Sequence, residues 1–193
     1  MTAPGSQHGA VAEPLPEGAH SPVVRPAGEA DLPAIQSIYA AHVLGGTGSF
    51  EEVPPGIDEI RARWRTVVDR GLPYLVAGEA GRVQGFAYAG LFRPRSAYRF
   101  TVEDSIYVAP DALAGGLGSL LLGRLIIACD ERGMRQMIAV IGDSANARSI
   151  RLHRRHGFVH AGTLVDAGYK FGRWLDAVFM QRPLNAGRSL EPR

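Results

Sequence analysis

An α/β fold on a mixed, mostly antiparallel central sheet of about seven strands, flanked by about four helices, is what this sequence predicts. Three observations carry the prediction. Apolar residues switch between strand-like and helix-like periods in the order β, α, α, β, β, β, α, β, α, β, β. Turn-forming Gly, Pro and Asp mark most of the switches, with no internal repeat and no linker long enough to divide the chain. The mixture of 46% hydrophobic and 21% charged residues over 193 positions supports one continuous core.

The domain is expected over residues 23–184. Residues 1–22 (MTAPGSQHGAVAEPLPEGAHSP) and 185–193 are rich in Pro, Gly and polar residues with no period to bury, and they read as tails. A short strand over Val23 to Arg25 comes first, then Asp31 as a helix N-cap ahead of Leu32, Ile35, Ile38 and Tyr39 at helical spacing. After the loop from Gly45 to Phe50, a second amphipathic helix carries Ile57, Ile60, Trp64, Val67 and Val68. Tyr74 to Gly78 and Val83 to Leu91 form a hairpin, and a further strand runs from Arg99 to Val108. A Gly cluster, Gly115-Gly116-Leu117-Gly118, opens a long helix to about Arg132. The buried strand Met137 to Ile141 follows, then a helix from Asn146 to His156 that Gly157 ends as its left-handed cap. Strands near Val159 to Leu164 and Trp174 to Arg182 close the domain.

Composition removes several classes of function. Net charge is +2 with both signs interspersed, so no basic stripe is offered to nucleic acid. No apolar run approaches the roughly 20 residues that span a bilayer, and a secretory signal is not visible at the N-terminus. A single cysteine, Cys129, excludes an intrachain disulfide; it sits among Ile126, Ile127 and Ala128 and reads as a core residue, so a covalent acyl-enzyme is not expected. A reducing cytoplasm is the expected compartment, and no metal is implied.

The Gly cluster has two readings on its own: a tight turn, or a set of unpaired N–H groups at the positive end of a helix dipole that would hold a phosphate. It lacks the Lys-Ser/Thr of a nucleotide-triphosphate loop and the third glycine of a dinucleotide fingerprint. The segment Leu113-Ala114-Gly115-Gly116-Leu117-Gly118 does resemble the acetyl-CoA motif of the GNAT superfamily of N-acetyltransferases, Gln/Arg-x-x-Gly-x-Gly/Ala, with Leu113 in place of the Gln or Arg. Asn146, Ser149 and the run from Leu152 to Phe158 match the second half of that superfamily's signature. Within it, the chain looks like the phosphinothricin N-acetyltransferase group from about Val24 to Leu184. That match rests on Thr47-x-Ser49-Phe50, on the run from Arg93 to Tyr98, on Thr101-Val102-Glu103-Asp104-Ser105-Ile106-Tyr107-Val108, on Gly168-x-Lys170-x-Gly172-x-Trp174-x-Asp176, and on Gln181.

The resemblance implies a sheet splayed after its fourth strand, acetyl-CoA as cofactor, and a small amino-acid-like amine as acceptor: phosphinothricin, methionine sulfoximine or a relative. It makes Glu103 the general base that deprotonates the acceptor's ammonium. His153, where many relatives have a tyrosine, would protonate the leaving thiolate or relay a proton with Glu103. Cofactor contacts would come from Ile106, Tyr107 and Val108, from Ala114, Gly115, Gly116, Leu117, Gly118 and Ser119, and from Asn146 and Ser149. The backbone N–H groups of Ile106 and Val108 would polarise the acetyl carbonyl. Arg95 and Tyr98, helped by Arg93, would bind the acceptor's acidic groups, an arginine fork suiting carboxylate or phosphinate. Phe50 would either close the apolar side of that pocket or staple the following helix. His156 is expected only to complement the helix dipole. A homodimer is implied by the group, and Lys170, Trp174 and Asp176 suit a structural or dimer-forming role. Rival readings are an acetyltransferase for another small amine or ordinary amino acid, and a non-catalytic acyl-CoA-binding module.

Overall fold

Seven strands lie in one sheet in the order β1-β2-β3-β4-β5-β7-β6, with four α-helices packed on its two faces. The structure, a computed structural model, describes residues 22–79, 81–113 and 115–185. Both expected tails fall outside the described residues except at their inner ends, where Asn185 is tied to Asp130 and Met134 by its backbone and side-chain amides.

Strand β1 (Val23–Pro26) leads through a 3-10 turn into α1 (Leu32–Gly45), whose Leu32, Ile35, Ile38, Tyr39 and Val43 are buried. Asp31 does not cap this helix with its side chain. Its carboxylate takes two hydrogen bonds from Arg25 and one from the Gly28 N–H, so the acid fixes the β1–α1 corner instead. Helix α2 (Ile57–Val68) buries Ile60 and Val67. Strands β2 (Tyr74–Glu79), β3 (Arg82–Leu91) and β4 (Thr101–Val108) form the expected antiparallel meander. β4 starts two residues later than predicted, because Ser96–Tyr98 winds into a 3-10 turn.

Helix α3 (Leu117–Glu131) then crosses to β5 (Gln136–Gly142), which pairs with β4 in parallel. α3 buries Leu117, Leu121, Leu122, Leu125, Ile126 and Cys129 against the sheet. Helix α4 (Ala147–Arg155) ends where Gly157 takes φ 82°, as the sequence predicts. The closing hairpin of β6 (Val159–Lys170) and β7 (Arg173–Pro183) is longer than expected, since irregularities at His160/Gly162 and Leu164/Gly168 let β6 continue past Leu164.

Pairing between β4 and β5 decides where a ligand can enter. Thr101 to Asp104 pair with Gln136 to Ala139 and the pairing then stops, although β4 runs on to Val108 and β5 to Gly142. Beyond Asp104 the two strands part. The sheet therefore carries a wedge-shaped opening after its fourth strand, with unpaired backbone on both sides of it.

Candidate active site

A cavity of about 690 Å3 occupies this wedge. Its walls come from Glu103 to Val108 on β4 and from Ala139 to Gly142 on β5. Ser49, Phe50, Glu51 and Tyr88 line one mouth; Leu113, Gly118, Asn146, Arg148, Ser149 and Leu152 line the other.

Alternation along β4 sorts its residues between the faces. Tyr107 meets Tyr39 of α1 edge-on at 4.9 Å and stacks on Phe86, so Glu103, Ser105 and Tyr107 face α1 and α2. Asp104, Ile106 and Val108 face α3 and α4, as the contact of Asp104 with His153 requires. Backbone groups alternate as well. The Ala109 N–H donates to Gln84 of β3, which turns the N–H groups of Ile106 and Val108 the other way, toward the opening. The Val108 carbonyl on that side is taken by His42 Nε2 at 2.8 Å. Two N–H donors aimed into a cleft suit stabilisation of a developing oxyanion.

Glu103 is half-buried on the wall of the cavity. Burial raises its pKa first, the neighbouring Asp104 charge raises it further, and Arg93 opposes both, leaving the carboxyl above its ordinary range. Such a carboxylate holds a proton more readily than an exposed one, as a general base near neutral pH must.

His153, only 4% exposed, is engaged at both ring nitrogens. Nδ1 lies 2.8 Å from the Ser149 carbonyl, which can only accept, so this nitrogen carries a proton. Nε2 lies 3.0 Å from Asp104 Oδ2. Burial alone would lower the His153 pKa; the hydrogen bond and charge of Asp104, with the Ser149 carbonyl, outweigh it and raise the value. An imidazolium paired with a carboxylate satisfies this geometry, and the other Asp104 oxygen is buried without a partner. Asp104 was missed from the sequence. Its signal was there, because alternation places it on the apolar face of Val102 and Val108, where a lone acid requires a cation.

At the second mouth, Gly116 holds φ 74° as the residue before α3, a left-handed conformation that favours glycine. Gly115 and Gly116 are exposed. The Gly116 carbonyl accepts from Ser119 and Leu120, so the N–H groups ahead of them, at Leu117 and Gly118, lie at the open end of the helix. These residues fit a diphosphate. Leu117 is buried and can offer only its backbone, and Ala114 lies outside the described residues. The Ser119 hydroxyl is 2.7 Å from His156 Nε2, so His156 ties α4 to α3 beyond any part it plays at the helix dipole. Asn146 caps α4, its Oδ1 accepting from the Ser149 N–H.

The first mouth is shaped by the loop after α1. Lys170, 2% exposed, donates to the carbonyls of Gly46 and Ser49 and so fixes this loop from β6. Tyr39 bonds Ser49 and Glu51, and Arg63 bonds Glu51 in turn. The Phe50 ring rests on the backbones of Gly142 and Gly168, where an added Cβ would come within 2.9 and 2.5 Å of it. It lines the cavity, and α2 begins too far along the chain for a staple. Arg93, Arg95 and Tyr98 do not line the cavity. They sit on the exposed β3–β4 loop, with the Arg93 guanidinium 4.2 Å from the centre of the Phe92 ring and Tyr98 edge-on to that ring. Among the described residues, no group of three or more His, Cys, Asp or Glu side chains is placed to hold a metal.

A splayed sheet, a glycine-opened helix and a half-buried acid on the strand between them define an acyl-CoA-dependent transferase. Residues 37–158 match the acetyltransferase (GNAT) family model, and the chain belongs to that family: it is an N-acetyltransferase that uses acetyl-CoA. It is 57% identical over 169 residues to the phosphinothricin N-acetyltransferase of Alcaligenes faecalis, covering 88% of this chain and 86% of that one. It is 44% identical to the L-methionine sulfoximine/L-methionine sulfone acetyltransferase of Pseudomonas aeruginosa, over 86% of this chain and 96% of the relative. Its fold superposes with a TM-score of 0.87 and 47% identity on a phosphinothricin acetyltransferase from Sinorhizobium meliloti solved with acetyl-CoA, covering 90% and 94% of the two chains.

Proposed function

We propose that the acceptor is an L-amino acid with a tetrahedral polar side-chain group, phosphinothricin or methionine sulfoximine, acetylated on its α-amine by direct attack in a ternary complex. The similarity to phosphinothricin and methionine sulfoximine acetyltransferases supports the acceptor, and the observation that carries direct attack is Glu103, a half-buried carboxyl with a raised pKa on the wall of a cavity that joins both mouths. Acetyl-CoA supplies the thioester carbonyl. Glu103 removes the ammonium proton, directly or through a water, and the freed amine is the nucleophile. The N–H groups of Ile106 and Val108 are assigned to the carbonyl oxygen. Phe50 closes the apolar side of the acceptor end. Arg95 and Tyr98, with Arg93, are assigned to the acceptor's acidic groups from the rim of the loop. His153 is bound at both nitrogens, and we assign it to positioning α4 rather than to protonating the sulfur.

Incubating the protein with acetyl-CoA and a panel of amines, with release of free thiol as the readout, tests the acceptor. Turnover is expected to be fastest with phosphinothricin or methionine sulfoximine. Equal or faster turnover of ordinary amino acids would overturn the acceptor assignment, and binding of acetyl-CoA with no turnover on the panel would overturn the enzymatic reading.

A homodimer belongs to the same proposal. Leu164, Val165, Tyr169, Phe171 and Trp174 stand exposed on the β6–β7 hairpin, Trp174 at 61%, and β6 is one of the sheet's two edge strands. An apolar edge of this kind is normally covered. Sedimentation is expected to give a dimer for the wild type and a monomer for Trp174→Glu; a monomeric wild type at micromolar concentration would remove the proposal. A cytoplasmic setting completes it, supported by the single buried thiol of Cys129.

A further inference from the structure

We propose that Arg148 is the cation that grips the cofactor's diphosphate, doing from α4 what no side chain of the phosphate turn can do. The inference rests on acetyl-CoA as the cofactor and deepens that reading.

The described part of the turn is electrically bare. Leu113 opens it without a charged or hydrogen-bonding side chain, and Gly115 and Gly116 contribute backbone alone. Backbone N–H groups and a helix dipole are partial charges, whereas a diphosphate brings full ones. The cavity itself offers little other positive charge: His153 is committed to Asp104, and Arg148 is the only Lys or Arg among the described lining residues.

Its position is the second argument. Arg148 is the second residue of α4, just after the Asn146 cap, and its guanidinium donates to the Leu113 carbonyl across the gap between α4 and the turn. The charge therefore already sits at the mouth where the α3 N-terminus opens. Among the described residues, no carboxylate pairs with it. Arg25, Arg61, Arg63, Arg82 and Arg173 each have an acidic partner. A guanidinium held on a neutral carbonyl, exposed and without a counter-ion, exchanges that partner for a phosphate oxygen and gains the attraction between two full charges, with a planar fork of donors suited to phosphate.

Calorimetric titration of CoA into the protein without acceptor tests this independently of turnover. Arg148→Ala is expected to weaken CoA binding about 10-fold or more, the loss appropriate to a charge-assisted contact at a solvent-facing site. The acceptor KM and the melting temperature should stay unchanged. Adding Leu113→Arg to that variant should restore most of the affinity by returning a cation to the turn. The same 10-fold loss should appear with 3′-dephospho-CoA, which keeps the diphosphate and lacks the ribose phosphate. Unchanged CoA affinity in Arg148→Ala would overturn the proposal, and so would a loss that disappears with 3′-dephospho-CoA, which would move the contact to the 3′-phosphate. A wild-type protein that fails to bind CoA at all would instead sink the cofactor reading on which the proposal stands.

Discussion

Glu103→Gln is expected to lower kcat/KM by about 100-fold or more at neutral pH, the usual scale for a lost general base. That factor corresponds to about 2.7 kcal/mol of transition-state stabilisation. Affinity for acetyl-CoA should be unaffected, since Glu103 faces α1 and α2 while the phosphate turn lies on the other side of the sheet. The pH profile gives an independent check. Because burial and the Asp104 charge raise the Glu103 pKa, the wild-type kcat/KM should fall on the acid side through a value above the ordinary carboxylate range. The acid limb should vanish in Glu103→Gln. A variant that keeps both full activity and the acid limb would show that another group takes the proton.

Breaking the Asp104–His153 pair should have the largest effect on stability. Removing one member of a buried ion pair leaves the other uncompensated, a loss of about 3–5 kcal/mol. For a domain of this size that lowers the melting temperature by about 6–20 °C. Asp104→Asn and His153→Gln should each show it, and the double variant should cost clearly less than the sum, since both single changes remove one interaction. The pH dependence has a definite sign. His153 has a folded pKa raised above its unfolded value of about 6.5, so its stabilisation is complete below that pH and is lost as pH rises through the folded value. Stability of Asp104→Asn should lack that decline. Asp104→Asn should also shift the acid limb of activity downward, because one of the charges raising the Glu103 pKa is gone. Strictly additive losses in the double variant would refute the pairing.

Local patterns made most of the fold readable. The order of eleven elements, the left-handed Gly157 and the apolar faces of α1 and α3 follow from period and turn chemistry, which neighbouring residues carry between them. Errors fell where a distant partner outbid a local preference. Asp31 does stand at the N-cap position of α1, as its type predicts, yet Arg25 on β1 takes its carboxylate and the capping bond is not made. The length of β6 depended on bulges that only pairing with β7 creates.

The site was legible in a different measure. Glu103, Phe50 and Gly118 were reached through motifs, and the cavity brings them together with Asn146, Ser149 and His153, while Gly115 and Gly116 stand exposed outside its lining. Arg93, Arg95 and Tyr98 were reached in the same way, and they stay on the outer loop. Asp104, though part of a motif, and Arg148 were given no role, although one neighbours the candidate base and the other stands two residues after the Asn146 cap. Neither has a meaning within its own segment. Asp104 is explained by a histidine 49 positions away and Arg148 by a carbonyl 35 positions away.

Sequence alone determined the family, the element order and the residue types available for acetyl transfer, because period, turn residues and motif spacing are properties of neighbours along the chain. Tertiary structure decided where β4 and β5 part, which face of the sheet each acid occupies, and which cations answer them. Those are contacts between residues far apart in sequence, fixed by packing and charge pairing once the chain has folded.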